Sequence, residues 1–341
     1  MVVSLHEFSE LAMLSDRDRD WLATTGDRTR LAVGESNIRE GTCFDRLDLL
    51  LSGELEVTIS KSGGAAESVG RVSPGQLVGE ISFVTDLLPI ATLTATQPTE
   101  ILSLDRQTLA RKLSSDAEFA ARFYMLVCRT LAQRVRQNTE LIATSELIPV
   151  PPLRKVLLMF AIFEDGDLGW MLSHGRQQKL APNSVLIAEG QATDMLYISI
   201  DGVLSVSVQI PGQAEPKVVA SLESGEFLGE ISFVESGLAS ATVSCVEPSL
   251  VFALPRPALV EHIEADRGFA ARFYNAIAIV MADRLQDRLL QRGYGLVAYG
   301  DTESLDDDIE YADELDMETL EKTAIAGSRF DWFLKQAKSA R

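Results

Sequence analysis

The chain has 341 residues, 31 Lys and Arg against 50 Asp and Glu, a formal charge of −19, and a hydrophobic fraction of 46%. Length and apolar content suit about two ordinary cores. The charge argues against broad binding to nucleic acid or to an anionic membrane, since both need clustered Lys and Arg. No apolar run of about 18 residues occurs, so no membrane span is expected, and Met1-Val2-Val3-Ser4-Leu5-His6-Glu7 lacks the basic and apolar regions of a signal peptide. By elimination the expected location is cytoplasmic, with Cys43, Cys128 and Cys245 as buried reduced thiols.

In chain order, residues 6–24 carry a helical pattern anchored by Phe8, Leu11, Leu14, Trp21 and Leu22. From Arg30 the period becomes two: Leu55, Val57 and Ile59 alternate with polar neighbours between Gly53 and Gly63-Gly64, as a half-buried antiparallel strand requires. Thr92–Thr96 and Glu100–Leu104 read as further short strands, and such spacing predicts an antiparallel barrel or jelly roll. Phe119, Phe123, Val127, Leu131 and Val135 then recur every fourth position, one face of a long helix over Glu118–Leu141 that ends near Ser145. Three prolines in Ile148-Pro149-Val150-Pro151-Pro152 make a stiff linker.

The plan then repeats. A helix is expected over Leu153–Phe163, a helical turn over Asp167–His174, and a strand at Leu204, Val206 and Val208. Phe269, Phe273, Ile277, Val280 and Leu285 line a second long helix, Gly268–Gln291. The repetition is literal in places. Gly79-Glu80-Ile81-Ser82-Phe83-Val84 recurs as Gly229-Glu230-Ile231-Ser232-Phe233-Val234, 150 positions later (229 − 79), and Phe119 to Tyr124 recurs as Phe269 to Tyr274 at the same offset. Gly41 and Gly53 match Gly190 and Gly202 at 149, so one residue is inserted before Gly225. The chain therefore divides into a first domain (1–147), the linker (148–152), a second domain (153–292) and an acidic tail with an aromatic end (293–341). In the tail, residues 300–309 read as solvated linker, Leu315, Leu320 and Ile325 as a short helix, and Trp332 with Phe333 as a docking element.

A barrel, a Gly-Glu cassette, an Ala-Thr strand start (Ala91-Thr92, Ala241-Thr242) and a long closing helix together resemble the cyclic nucleotide-binding domain, over roughly residues 6–142 and 153–292. That family includes bacterial catabolite activators and the tandem regulatory subunits of cyclic-AMP-dependent kinase. The resemblance implies a mainly β fold with flanking α: two jelly-roll β-barrels, each followed by a long helix. It also implies ligand-binding positions at Gly79, Glu80, Ile81, Ser82, Ala91 and Thr92, and at Gly229, Glu230, Ile231, Ser232, Ala241 and Thr242. In the family the Glu bonds a ribose hydroxyl and an Arg just before the Ala-Thr strand pairs with the cyclic phosphate. The start of the cassette helix adds free N–H groups as an anion site. The Glu carries over to Glu80 and Glu230, whereas the Arg position falls on Pro89 and Ala239, and residues 84–99 and 234–254 contain no Lys or Arg. A charge-assisted bond to phosphate contributes about 1.5–3 kcal/mol, so its loss weakens binding roughly 10- to 150-fold.

Simpler roles stand beside these. Glu80 and Glu230 also suit a helix start, Thr92 and Thr242 a plain strand. Arg122, Arg272, Arg134 and Arg284 suit solvated faces or intrahelical pairs, the sharper alternative being a cation that reaches the pocket. His6, His174 and His262 share no metal-ligand spacing with the cysteines, and His174 before Gly175 marks a helix end. No catalytic constellation or phosphate loop is present, so neither catalysis nor a metal is expected. The acidic segment after Gln291 is unlike a DNA-binding helix-turn-helix. The expectation is a non-enzymatic regulatory or adaptor protein of two degenerate domains, homodimeric through its long helices, with a protein partner reached through residues 300–341. No cofactor is required; a ligand, where one binds, would be a cyclic nucleotide or another small anion. A sensor with an atypical pocket and the regulatory subunit of an enzyme are the alternatives.

Overall fold

The computed structural model describes residues 4–61, 66–144, 159–291 and 317–339. Two compact units emerge. The first holds the chain up to Leu131, and the second holds Pro151 to Met281 together with the C-terminal segment from Tyr311.

Each unit carries eight strands in two four-stranded antiparallel sheets. In the first these are β1 (Asp27–Leu31), β2 (Ser36–Ile38), β3 (Arg46–Ser52), β4 (Leu55–Ser60), β5 (Ala66–Val72), β6 (Leu77–Val78), β7 (Thr92–Ala95) and β8 (Thr99–Asp105). They order as β1-β8-β3-β6 and β2-β7-β4-β5, a jelly-roll arrangement in which successive strands, except the hairpin β4–β5, alternate between layers. The second unit repeats this with β9 (Arg176–Leu180), β10 (Val185–Ile187), β11 (Met195–Asp201), β12 (Leu204–Val208), β13 (Lys217–Leu222), β14 (Phe227–Leu228), β15 (Thr242–Cys245) and β16 (Ser249–Pro255), ordered β9-β16-β11-β14 and β10-β15-β12-β13. Ile38, Leu50, Leu55, Val72, Val78, Leu93, Ala95 and Ile101 form a buried cluster between the first unit's sheets.

Ten α-helices flank the strands among the described residues: α1 (Asp16–Thr25), α2 (Glu80–Thr85), α3 (Arg106–Ser115), α4 (Ala117–Thr144), α5 (Met159–Ile162), α6 (Asp165–His174), α7 (Glu230–Glu235), α8 (Arg256–Ala265), α9 (Arg267–Gln291) and α10 (Met317–Ser339). The apolar stripe read on α4 is the buried face: Phe119, Phe123, Val127, Leu131 and Val135 are all within 1% of full burial. The unit boundary falls inside both long helices, α4 from Ala132 belonging to the second unit and α9 from Ala282 to the first.

Several expectations are corrected. The helix expected over 6–24 is two 3-10 turns, Leu5–Glu7 and Ser9–Leu11, followed by α1. Ser15 breaks the run because its hydroxyl accepts from Asp18 N–H while the Asp18 carboxylate accepts from Ser15 N–H, a capping box that fixes a new start. Of the helix expected over 153–163, α5 is the described part; residues 153–158 lie outside the described residues, as do 300–309 and Leu315. The short tail helix is instead 23 residues long and includes the aromatic end. Cys128 and Cys245 are buried, but Cys43 is exposed, because it lies in the loop between β2 and β3 and not on a core-facing strand position.

Candidate functional site

The duplicated hexapeptide forms α2 and α7, each capped at its start by a glycine in left-handed conformation, Gly79 at φ 84° and Gly229 at φ 86°. Only glycine adopts that angle without a Cβ penalty, which is why the strand-to-helix corner demands it. Each of these helices is six residues long.

Their other end is gripped. Arg106 at the start of α3 donates from Nη1 to Ser82 O at 3.0 Å and from Nη2 to Phe83 O at 2.9 Å, and pairs with Asp86. Arg256 does the same in the second unit, to Ser232 O and Phe233 O at 3.1 Å each and to Ser236 Oγ at 3.2 Å. Both guanidinium groups lie 5.1 Å from the centroid of the cassette phenylalanine, Phe83 or Phe233. Carbonyls in the last turn of a helix carry partial negative charge, and a planar fork reaches two at once; Ser82 O and Ser232 O accept in addition from the cap N–H groups of Asp86 and Ser236. Sequence reasoning missed these arginines, although their separation of 150 (256 − 106) is the offset of the cassettes themselves.

Glu80 and Glu230 are buried, at 0% and 2% exposure. Ser82, Ser232 and Ile231 are buried with them, and Ile81 is half-buried. Ala91 and Ala241 are half-buried and precede interior strands of the opposite sheet, and Ala91 packs against the core cluster. Thr92 and Thr242 begin those strands, and each hydroxyl accepts from a backbone N–H, of Glu40 and Glu189, at 3.1 Å. The carboxylates of Glu40 and Glu189 in turn accept from Ser60 N–H and Gln209 N–H at 3.0 and 2.8 Å, a second repeated contact not read from sequence.

At the two positions where the resemblance places a phosphate-binding Arg, Pro89 is buried and Ala239 is 6% exposed. Their backbones close onto the β2–β3 and β10–β11 loops. Gly41 N–H donates to Pro89 O at 2.8 Å, Gly190 N–H donates to Ala239 O at 2.9 Å, and Ala239 N–H donates to Gln191 O at 2.9 Å.

Arg122 and Arg272 do not stand on solvated faces. Arg122 Nε donates to Asp18 Oδ2 at 2.7 Å, with Glu118 as a second, intrahelical partner at 3.0 Å. Arg272 Nε donates to Asp167 Oδ2 at 2.6 Å. Both carboxylates are also the capping groups of α1 and α6, so one side chain starts a helix and ties it to the closing helix. Burial works to raise the Asp18 pKa, but the hydrogen bonds from Arg122 and Ser15 and the charge of Arg122 outweigh it and hold the carboxyl below its ordinary value. Asp48 on β3 shows the reverse. Burial lifts its carboxyl above the ordinary value despite Asn37 Nδ2 donating to Oδ2 at 2.7 Å. Glu235, the last residue of α7, accepts from Arg136 Nε on the C-terminal part of α4 at 3.1 Å, a contact inside the second unit.

Among the described residues no cluster of three His, Cys, Asp or Glu could hold a metal ion, and no helix is long and apolar enough to cross a membrane. His174 closes α6, as read, and stacks on Trp170 with ring centroids 4.5 Å apart.

A family model described as the cyclic nucleotide-binding domain matches residues 28–116 and again 177–266. A cAMP-dependent protein kinase regulatory subunit of Yarrowia lipolytica is 28% identical over 211 residues, 62% of this chain and 47% of that protein. A cGMP-dependent protein kinase of Caenorhabditis elegans is 24% identical over 230 residues, 65% of this chain and 24% of that one. The chain thus spans less than half the length of either relative. Among solved structures, the regulatory domain of Toxoplasma gondii PKA with cAMP is similar at 19% identity and a TM-score of 0.30, covering 75% of this chain and 88% of that one.

Proposed function

The chain belongs to the cyclic nucleotide-binding domain family, and from that membership we propose that it is a non-enzymatic regulatory protein whose two domains have lost their grip on a cyclic phosphate. The observation that carries this is the apolar, buried side chain at both phosphate positions, Pro89 and Ala239. The cassettes' own arginines do not replace the missing cation, since Arg106 and Arg256 direct two donors each to helix carbonyls, and Arg122 and Arg272 are held by Asp18 and Asp167. The residues present therefore do not fit a cyclic phosphate, and no step of the function runs through one.

What remains is a pair of β-sandwich domains with long closing helices, a scaffold suited to holding partners. In this reading α4 and α9 provide a homodimer seam, and the face of α10 bearing Ile325 and Trp332, exposed at 38% and 43%, meets a protein partner. Calorimetry of the full chain with cyclic AMP and cyclic GMP tests the reading. The expected result is no saturable heat in the micromolar range; saturable binding lost on Glu230→Ala would overturn it.

A further inference from the structure

One sheet of the second unit is apolar where its copy in the first unit is polar. Val185, Val203, Val218 and Val246 occupy the places that Ser36, Glu54, Ser68 and Thr96 hold in the first unit (185 − 36 and 203 − 54 are 149, 218 − 68 and 246 − 96 are 150). We infer that the outer face of the sheet β10-β15-β12-β13 is a self-association surface, on which a second copy of this chain packs face to face about a two-fold axis. The surface lies on other elements than the proposed α4–α9 seam and does not depend on it.

Residues opposed in an antiparallel pair, and residues two apart on one strand, share a face. Val185 opposes Ser244, Ser244 opposes Ser205, and Ser205 opposes Ser221. Val246 lies two beyond Ser244, and its N–H donates to Val203 O at 3.0 Å. Val218 opposes Ser207, which opposes Thr242, two before Ser244. The other face is the core side, where Val243 and Cys245 are buried. Val185 and Val218 are 58% exposed and Val246 is 57% exposed, while Val203 is half-buried.

The first unit shows that the fold does not need these valines. There the Ser36 and Thr94 hydroxyls bond at 3.0 Å, and Glu54 accepts from Arg71 Nη1 at 3.1 Å and from Thr96 Oγ1 at 2.9 Å. Strand propensity favours valine, yet Val203 and Val246 stand just outside β12 and β15. Charge is removed as well: Glu56 opposes Arg71 in the first unit, where Ser205 opposes Ser221 in the second. The occupant follows from that loss. Copies of a chain at −19 repel over most of their surface, and a face of Val, Ser and Thr adds nothing to the repulsion. Interface cores are depleted of charged residues, and a two-fold axis sets this patch against itself, so it needs no second, complementary surface. A stable complex buries about 800 Å² per partner. Four short strands offer less, so the expected dimer is weak and reversible, forming in the micromolar range.

Sedimentation of the full chain over rising concentration tests the inference, on the natural sequence, on Val185→Lys with Val246→Lys, and on the matched pair Ser36→Lys with Thr96→Lys. The smallest species should double in mass as concentration rises. The valine pair should weaken that step about tenfold or more, and the first-unit pair should leave it unchanged. Added lysines lower the net charge, so general repulsion does not explain a loss. Hydrogen exchange on the natural chain needs no variant: protection over 203–208, 218–222 and 242–246 should grow with concentration, with 54–60 and 92–96 constant. No doubling at any concentration would overturn the inference. So would a doubling that survives the valine pair, which would assign the contact to the α4–α9 seam, or one lost equally in both pairs. Protection of the second-unit strands that is the same at low and high concentration would also overturn it, because the chain itself would then cover the face.

Discussion

Two buried aspartates in the first unit carry opposite pH signatures. Asp18 has its folded-state pKa depressed by Arg122 and Ser15, so its contribution is complete above the unfolded carboxylate value near about 3.9 and is lost as pH falls through the lower folded value. Asp48 has its folded pKa raised by burial. Its stabilising state is the protonated one, complete below the unfolded value and lost as pH rises through the folded one. Replacing Asp18 with Asn should therefore lower the thermal midpoint at neutral pH, with the deficit shrinking in acid. Hydrogen bonds to charged groups contribute about 1.5–3 kcal/mol, reduced here because the Arg122 side chain is 32% exposed. Asp48→Asn should do the opposite. The amide can still accept from Asn37, so the midpoint at neutral pH should rise, and the gain should vanish near about pH 4. Thermal scans of both variants from neutral to acid pH check the pair. A loss in Asp48→Asn at neutral pH would mean that the ionised carboxylate is the stabilising form. Neither sign was readable from sequence, because Asp18 looks like any acidic residue in a polar helix and Asp48 interrupts an otherwise apolar run, Leu47 to Leu51.

At the scale of elements, the strands and long helices were legible because their periodicity is two or nearly four and their burial follows it. Leu55 and Ile59 are within 2% of full burial, whereas Val57, read on the same face, is half-buried like Thr58 where the β4–β5 register shifts; the α4 stripe is buried throughout. The cassette glycines were legible for a different reason, literal repetition. What escaped was every contact that joins distant segments: Arg106 to a helix 23 and 24 residues earlier, and Arg122 to a capping box 104 residues earlier. A side chain on a helix surface has no sequence signature for a distant partner: the intrahelical pair expected of Arg122 is there, with Glu118, while its tie to Asp18 was not legible. The cap predicts a specific weakness. Arg106→Gln keeps length and polarity but loses the fork and the charge, so α2 should fray at its C-terminal end. The expected cost is about 1.5–3 kcal/mol, seen as a lower midpoint and faster amide exchange over residues 82–87, with 232–237 unaffected. Arg256→Gln should give the mirror pattern. Equal exchange in both cassettes for either variant would show that the arginines do not act locally.

For the molecule as a whole, the C-terminal helix distinguishes two units that are otherwise copies. The aromatic tail end splits its roles: Phe333 is fully buried, 5.8 Å from Phe160 and 5.5 Å from Phe252 by ring centroids, whereas Trp332 faces outward. Arg329 then donates to Asp165 at 3.2 Å and to Ala161 O at 3.1 Å. Asp165 and Asp167 lie in the same first turn of α6, and Asp167 holds Arg272 of the closing helix α9. α10 thus grips the turn that grips α9, while the Asp18–Arg122 pair of the first unit has no such helix behind it among the described residues. Removing residues 317–341 should expose Phe160 and Phe252 and loosen that turn. Losing the Phe333 anchor alone, as in Phe333→Ala, should cost about 3–5 kcal/mol. In the truncated chain amide exchange should rise along α6 and over 267–281 of α9, and remain unchanged along α1 and over 117–131 of α4. If both units loosened equally, α10 would be a general support and the two closing helices would be held alike; a rise confined to α6 and α9 would mean that the tail sets how firmly the second domain keeps its helix.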